Sequence, residues 1–198
     1  MNLPNKLTVF RIILVPIMVI VSFFNIPGNL LGVPMTMIVL DLIFIIASIT
    51  DKLDGYLARS RNEVTTFGKF LDPIADKILV IAAMILFVGM GRLPAWIPII
   101  VIFREFIVSG FRLIAVEQNG KVIAASFWGK LKTATQMVAL IIMFIDNNAY
   151  CQCLKGTLTG LPLAINIVSS LLMTISLIAT IFSGIDYLKG GKDLLKDR

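Results

Sequence analysis

The sequence predicts an all-α polytopic membrane protein with six transmembrane helices, and three observations lead to that prediction. Of the 198 residues, 58% are hydrophobic and only 15% are charged, whereas a soluble domain has roughly half apolar and a quarter charged residues. The mean hydropathy is +0.92. The apolar residues also fall in long blocks. Together these values exclude an ordinary soluble enzyme, a disordered regulator and a secreted disulfide scaffold.

Six apolar blocks are long enough to cross a bilayer, whose hydrocarbon core requires about 20 residues of helix. They cover approximately residues 8–25, 34–51, 74–91, 94–116, 127–146 and 160–187. The sequence contains no long linker, no low-complexity stretch and no evident cleavable signal. We therefore expect a single membrane domain over residues 1–198.

Lysine and arginine residues are distributed unequally between the two ends of the predicted helices. One end has nearly all of those in the connecting segments, and the other has only Arg92 and Lys155. Cytoplasmic loops of membrane proteins are enriched in these residues, so the basic end and both termini are predicted to be cytoplasmic. The net charge of +6 is explained by this topology, and no nucleic-acid partner is expected.

Two pairs of aspartates flank the predicted cytoplasmic loop between the second and third helices. Asp51 and Asp54 are three residues apart, and Asp72 and Asp76 are four apart, so each pair lies on one helical face. Four carboxylates at the edge of a low-dielectric layer repel one another unless a cation joins them. With oxygen ligands and no histidine in the chain, the predicted ion is Mg²⁺ or Mn²⁺. The alternative is a solvated turn whose own basic residues neutralise the aspartates.

The residues between the aspartate pairs favour binding of a phosphate group. Gly55 and Ala58 keep one helix face small, so a ligand or another backbone can approach closely. Arg59 offers a forked donor that suits a phosphate.

The complete pattern is D-x2-D-G-x2-A-R-x8-G-x3-D-x3-D, which resembles the signature of the CDP-alcohol phosphotransferase family at all its fixed positions. The resemblance implies a six-helix membrane fold, a CDP-linked donor and a homodimer. It further implies that two divalent ions are bound by Asp51, Asp54, Asp72 and Asp76. In such enzymes the last of these aspartates is also the general base.

Residues 3–11 and 104–112 resemble the bacterial phosphatidylglycerophosphate synthases of that family. This resemblance implies transfer of the phosphatidyl group from CDP-diacylglycerol to glycerol 3-phosphate, in phosphatidylglycerol synthesis. The enzyme would lie in the cell membrane, in contact with membrane lipid, with its active site facing the cytoplasm. The residues that would bind CDP-diacylglycerol are Asn5, Thr8, Gly55, Arg59, Thr65 and Gly68.

Three cationic residues are predicted to bind the acceptor. Glycerol 3-phosphate is a dianion and needs cations close to the metal site. Arg112 is expected at the cytoplasmic end of the fourth helix, and Lys130 and Lys132 at the start of the fifth. For the two lysines, ordinary positive-inside topology is the alternative explanation.

Two other functions are consistent with parts of the sequence. The first is the same chemistry with phosphatidylglycerol, serine or an inositol phosphate as the acceptor. The second is a cation transporter, in which the aspartates would bind the transported ion. Transport sites tend to lie near the midplane between inverted repeats, whereas these aspartates are at one membrane edge and no repeat is evident.

Three charged residues are predicted near the middle of the membrane. Charges at that depth are either functional or paired, and we expect Asp41 to pair with Arg104 or Glu105. The two cysteines, Cys151 and Cys153, have a spacing that suits neither a disulfide nor a zinc site, and we interpret them as incidental.

Overall fold

The computed structural model describes residues 2–60, 66–117 and 127–190, and these are mostly helical. The helices are α1 (Leu3–Ser22), α2 (Met35–Ser60), α3 (Thr66–Gly89), α4 (Trp96–Glu117), α5 (Phe127–Ile145) and α6 (Gly160–Gly190). A two-stranded hairpin, β1 (Asn29–Leu30) and β2 (Val33–Pro34), lies between α1 and α2, and a short 3-10 helix (Gln152–Lys155) precedes α6. The predicted helical fold is confirmed.

Each apolar block of the sequence corresponds to one helix, but α2 and α3 extend beyond their blocks. The second block ends near residue 51, whereas α2 continues to Ser60, and α3 begins at Thr66, before the third block. The backbone hydrogen bonds of a helix do not require apolar side chains, so α2 and α3 both include charged residues beyond the apolar blocks. All four aspartates of the motif therefore have helical backbones.

Two of the described helices are long and apolar enough to cross a membrane, α1 over Asn5–Ser22 and α6 over Gly160–Lys189. The other helices also expose large apolar side chains, and Phe106 of α4 is 73% exposed. Such exposure suits contact with lipid. These features indicate a membrane protein. The number of six membrane spans and the cytoplasmic position of both termini remain predictions.

The chain divides into two compact units, Met1–Arg92 with Ile141–Asn148, and Leu93–Leu140 with Ala149–Arg198. The first unit contains α1, the hairpin, α2, α3 and the end of α5. Its core includes three phenylalanine rings, in which Phe144 lies 5.7 Å from Phe44 and 4.6 Å from Phe87, between ring centroids. Tilted aromatic pairs at these distances contribute more than their buried area alone.

Side-chain hydrogen bonds join the hairpin to the loops of the first unit. Leu31 and Gly32 both have positive φ, 53° and 84°, as a tight two-residue hairpin turn requires. Asn147 donates to the Gly32 carbonyl at 2.7 Å. Arg92 donates to the Asp146 carbonyl at 3.1 Å and to Asn147 Oδ1 at 3.2 Å. The sequence analysis did not predict this hairpin.

The second unit contains α4, most of α5, and α6, which buries polar side chains along one face. The buried residues on that face are Asn166, Ser169, Ser170, Ser176, Thr180 and Ser183. Two of them bind the loop before α6: Asn166 accepts from the Cys153 amide at 2.8 Å, and Ser170 accepts from the Cys151 amide at 2.9 Å. Neither cysteine forms a disulfide. Their backbone amides make the contacts with Ser170 and Asn166.

Candidate active site

Helix α1 presents a polar face to the interior of the first unit. Asn5, Thr8 and Arg11 are spaced three residues apart and are 7%, 1% and 0% exposed. On the outside of the same helix, Phe10 and Ile13 are 44% and 51% exposed. This is the reverse of a soluble amphipathic helix, and it suits a helix that meets lipid on one side and a polar site on the other.

Arg11 joins α1 to the two helices that contain the aspartate pairs. Its Nη1 lies 2.9 Å from Oδ1 of Asp51 on α2 and 2.5 Å from Oδ1 of Asp76 on α3. One nitrogen of a fully buried guanidinium thus contacts an oxygen from each pair. Charge-assisted contacts of this length are among the stronger polar interactions in proteins.

The two carboxylates remain open on one side. The side chain of Asp51 is 36% exposed and that of Asp76 is 48% exposed, whereas that of Arg11 is 0% exposed. The cation therefore lies beneath the aspartates, and their outer surface is accessible. A substrate or an ion can approach the carboxylates from that side.

The remaining two aspartates of the motif share helices with the first two. Asp54 follows Asp51 by one turn of α2, and Asp72 precedes Asp76 by one turn of α3, so each backbone position lies on the same face as its partner. The side chains of Asp54 and Asp72 are outside the described part of the structure.

The described carboxylates fit a hard divalent cation. Their oxygens converge on a single cationic nitrogen, so the site accepts positive charge between α2 and α3. The donor atoms are oxygens, which Mg²⁺ and Mn²⁺ prefer. Among the side chains that the structure describes, no three acidic, cysteine or histidine residues are grouped closely enough to hold a metal ion by themselves. Completing the site would require the two aspartates whose side chains are not described.

The predicted donor-binding residues are described to different extents. Asn5 and Thr8 are buried on the same face of α1 as Arg11 and make polar interactions there. Gly55 and Arg59 lie in α2 and Gly68 lies in α3, but what surrounds them is outside the described part. Thr65 lies outside the described residues altogether.

In the second unit, the predicted acceptor residue Lys132 is part of a buried ion-pair network. Its Nζ lies 2.6 Å from Oε1 of Glu105, which also accepts from Nη1 of Arg104 at 2.9 Å. The other terminal nitrogen of Arg104 donates to Ser183, and its guanidinium lies 5.8 Å from the ring centroid of Tyr187. Two cations therefore share one carboxylate oxygen.

The structure describes the side chain of only one of the other two predicted acceptor residues. Lys130, near the start of α5, is exposed and free to turn toward an anion. Arg112 lies in α4, with its side chain outside the described part of the structure.

The expected pairing of Asp41 with Arg104 or Glu105 stays a prediction, because Asp41 lies in the first unit and the other two residues lie in the second. Glu105 is the carboxylate that neutralises Arg104. Asp41 is 8% exposed, and its Oδ1 has no hydrogen-bond partner among the described residues. Arg104 has a carboxylate partner one residue away, and its buried Nε has no hydrogen-bond partner among the described residues.

Arg11 is a site residue that the sequence pattern did not identify. The resemblance of residues 3–11 covers Arg11 without giving it a role. One signal was present: an arginine several residues inside an apolar helix requires a partner, because an unpaired charge there is costly. The sequence could not show that its partners would be Asp51 and Asp76.

Comparisons with known proteins agree with the motif. The family model described as CDP-alcohol phosphatidyltransferase matches residues 1–182. Three relatives carry the name CDP-diacylglycerol--glycerol-3-phosphate 3-phosphatidyltransferase. The Bacillus subtilis protein is 40% identical over 98% of this chain and 97% of its own length, and the Haemophilus influenzae protein is 40% identical over 99% and 96%. The Rickettsia bellii protein is 36% identical over 96% of each chain.

Proposed function

The chain belongs to the CDP-alcohol phosphatidyltransferase family, and we propose that it transfers the phosphatidyl group of CDP-diacylglycerol to glycerol 3-phosphate. The products are phosphatidylglycerophosphate and CMP. The family predicted from the motif is confirmed, and the chain is a CDP-diacylglycerol-dependent phosphatidyltransferase. Relatives that are aligned over nearly their whole length and named for this reaction support the choice of acceptor.

One structural observation supports this function most directly: the convergence of Asp51 and Asp76 on a single cation. It brings together residues that lie on two different helices, α2 and α3. The carboxylates are open to an approaching substrate on one side, as a transfer site requires. A solvated turn, the alternative considered from sequence, would not place a fully buried arginine beneath both carboxylates.

The metal ligands in this proposal are Asp51, Asp54, Asp72 and Asp76, which together would bind two Mg²⁺ or Mn²⁺ ions. When bound, these ions supply Lewis-acid polarisation of the phosphoryl oxygens and neutralise the pyrophosphate charge. The oxygen donors and the convergence of the described carboxylates support this assignment.

Asp76 is proposed as the general base. Its half-exposed carboxylate would take the proton from the C1 hydroxyl of glycerol 3-phosphate. That oxygen forms a bond to the phosphorus that carries diacylglycerol, and the bond from this phosphorus to CMP breaks. CMP departs with the bonding electrons, and the proton held by Asp76 returns to solvent. Arg11, at 2.5 Å from Asp76, would fix the orientation of the carboxylate.

The proposal assigns the two substrates to different sets of residues. Donor contacts are proposed from Asn5 and Thr8 of α1 and from Gly55, Arg59, Thr65 and Gly68. Acceptor contacts are proposed from Arg112, Lys130 and Lys132. Because Glu105 already contacts Lys132, Lys132 would act with a fixed position, whereas exposed Lys130 would move to meet the phosphate.

The cellular setting is also a proposal. A lipid donor and a water-soluble acceptor meet most easily where a membrane meets the cytoplasm. We therefore place the protein in the cell membrane with six spans, both termini in the cytoplasm and the aspartates at the cytoplasmic edge. The excess of basic residues at that end supports the orientation, and the family resemblance supports a homodimer.

A product assay tests the proposed acceptor. The purified chain would be incubated with CDP-diacylglycerol, Mg²⁺ and one acceptor at a time: glycerol 3-phosphate, phosphatidylglycerol, serine or an inositol phosphate. We expect one new lipid on thin-layer chromatography, formed only with glycerol 3-phosphate and in step with CMP release. A lipid product with a different acceptor would overturn the acceptor assignment. Absence of CMP release with all four would overturn the proposed reaction.

A further inference from the structure

Arg11 is a fully buried charge whose contacts explain why it is tolerated. Its side chain is 0% exposed, and a charge removed from water is stable only when it is paired and hydrogen-bonded. Contacts with Asp51 at 2.9 Å and Asp76 at 2.5 Å satisfy that requirement. Its Nε, by contrast, is buried without a hydrogen-bond partner among the described residues. The contacts of its terminal nitrogens therefore fix the position of the guanidinium.

These contacts use the oxygens that the proposed function assigns to divalent ions. A guanidinium remains charged under all conditions in a protein, so it repels a dication that binds to the same carboxylates. It also occupies lone pairs that would otherwise point at the ion. Arg11 and a divalent cation are therefore expected to compete for Asp51 and Asp76.

We infer that Arg11 is a tethered counter-cation of the aspartate cluster. It holds α2 and α3 together through Asp51 and Asp76 when no divalent ion is present, and it lowers the affinity of the cluster for that ion. Arg11 is thus a positioning residue that sets the divalent-ion affinity of the site. This inference rests on the metal site of the proposed function.

The test measures ion affinity and stability in the absence of substrate. The full chain in detergent would be titrated with Mn²⁺, with free ion measured by electron paramagnetic resonance, and its thermal unfolding followed with chelator or with saturating Mn²⁺. Arg11→Gln removes the charge and Arg11→Lys retains it. Arg92→Gln is the matched control, because Arg92 is an arginine of the same unit whose hydrogen bonds go to the loop at Asp146 and Asn147.

The inference predicts that Arg11→Gln is less stable without metal but binds Mn²⁺ more tightly. Its melting temperature in chelator should fall, because the carboxylates lose their counter-charge. Its Mn²⁺ dissociation constant should also fall, by about tenfold, the order expected when a neighbouring like charge is removed. Arg11→Lys and Arg92→Gln should keep a dissociation constant close to that of the wild type. A residue with a merely structural role would lower stability without tightening the binding of the ion.

Each other result has a defined meaning. The inference is overturned if Arg11→Gln binds Mn²⁺ no more tightly than the wild type. It is also overturned if the variant stays unfolded in saturating Mn²⁺, because the dication should replace the missing charge. If the wild type and Arg92→Gln both bind no Mn²⁺, the proposed metal site fails and the inference fails with it. If the wild type binds Mn²⁺ but makes no lipid product, only the proposed reaction fails.

Discussion

Nη1 of Arg11 on α1 lies 2.5 Å from Oδ1 of Asp76 on α3, although the two residues are 65 positions apart along the chain. The proposed base therefore has a permanent cation on its buried side and access to solvent on the other. Contact with Arg11 holds the orientation of this carboxylate and leaves its outer side open.

Replacing Asp76 by asparagine tests the role of the base. Asp76→Asn retains the shape and one oxygen but cannot accept a proton, so kcat should fall by roughly 10²–10⁴-fold, with a further loss from the missing ligand charge. Binding of CDP-diacylglycerol should persist, as measured by equilibrium binding of a labelled donor. A variant that keeps its turnover rate would show that another group removes the proton.

Replacing a proposed ligand tests the requirement for metal. Asp51→Asn should abolish turnover, because the cluster loses one anionic ligand. Excess chelator should silence the wild type, and added Mg²⁺ or Mn²⁺ should restore it. Asp186→Asn is the control, since Asp186 is an exposed aspartate of α6 outside the proposed site. Full activity of the wild type in chelator would refute the metal requirement.

Two arginines should affect different substrates. Arg112→Ala is expected to raise the KM for glycerol 3-phosphate, because it removes a cation from the proposed acceptor site. Arg59→Ala should instead raise the KM for CDP-diacylglycerol. Titrating each substrate against each variant would reveal this crossed pattern. A defect of Arg112→Ala that is confined to the donor would place the acceptor site elsewhere.

The shared carboxylate of Glu105 should be important for stability. Glu105→Gln removes the carboxylate that Lys132 and Arg104 share, and breaking a buried ion pair costs about 3–5 kcal/mol. Adding Lys132→Met should recover much of the loss, as measured by chemical unfolding in detergent micelles. Lys130→Met, at an exposed position of the same helix, should change stability little. Additive effects of Glu105→Gln and Lys132→Met would contradict the pairing.

Asp41 should behave as an unpaired buried carboxylate. Because Asp41 is buried and its Oδ1 has no hydrogen-bond partner among the described residues, Asp41→Asn, which removes the charge that burial disfavours, should raise stability by about 1 kcal/mol. Arg104→Gln should add its own effect independently. Thermal unfolding of the two single variants and of the double variant measures both effects. If Asp41→Asn lowers the stability and adding Arg104→Gln restores it, the pairing expected from sequence would be supported.

Local sequence determined the family, the helices and the four aspartates. Apolar blocks of membrane length predict helices because the bilayer thickness and the helical rise are fixed quantities. Spacings of three and four residues place Asp51 and Asp54 on one face of their helix, and Asp72 and Asp76 on one face of theirs. This follows from helical periodicity, which is also a local property of the chain. The motif depends only on order along the chain, so it could be recognised without knowing how the helices pack.

Tertiary structure alone decided which charges meet. Arg11 contacts carboxylates of α2 and α3, and Lys132 of α5 contacts Glu105 of α4. Asp41, expected to pair, has an unpartnered oxygen. Helical periodicity specifies the face on which a residue lies but not the helix that this face meets. Pairing also depends on distances of a few ångströms, since Coulomb attraction and desolvation oppose each other closely in a buried site. That balance is settled only when the helices are packed together.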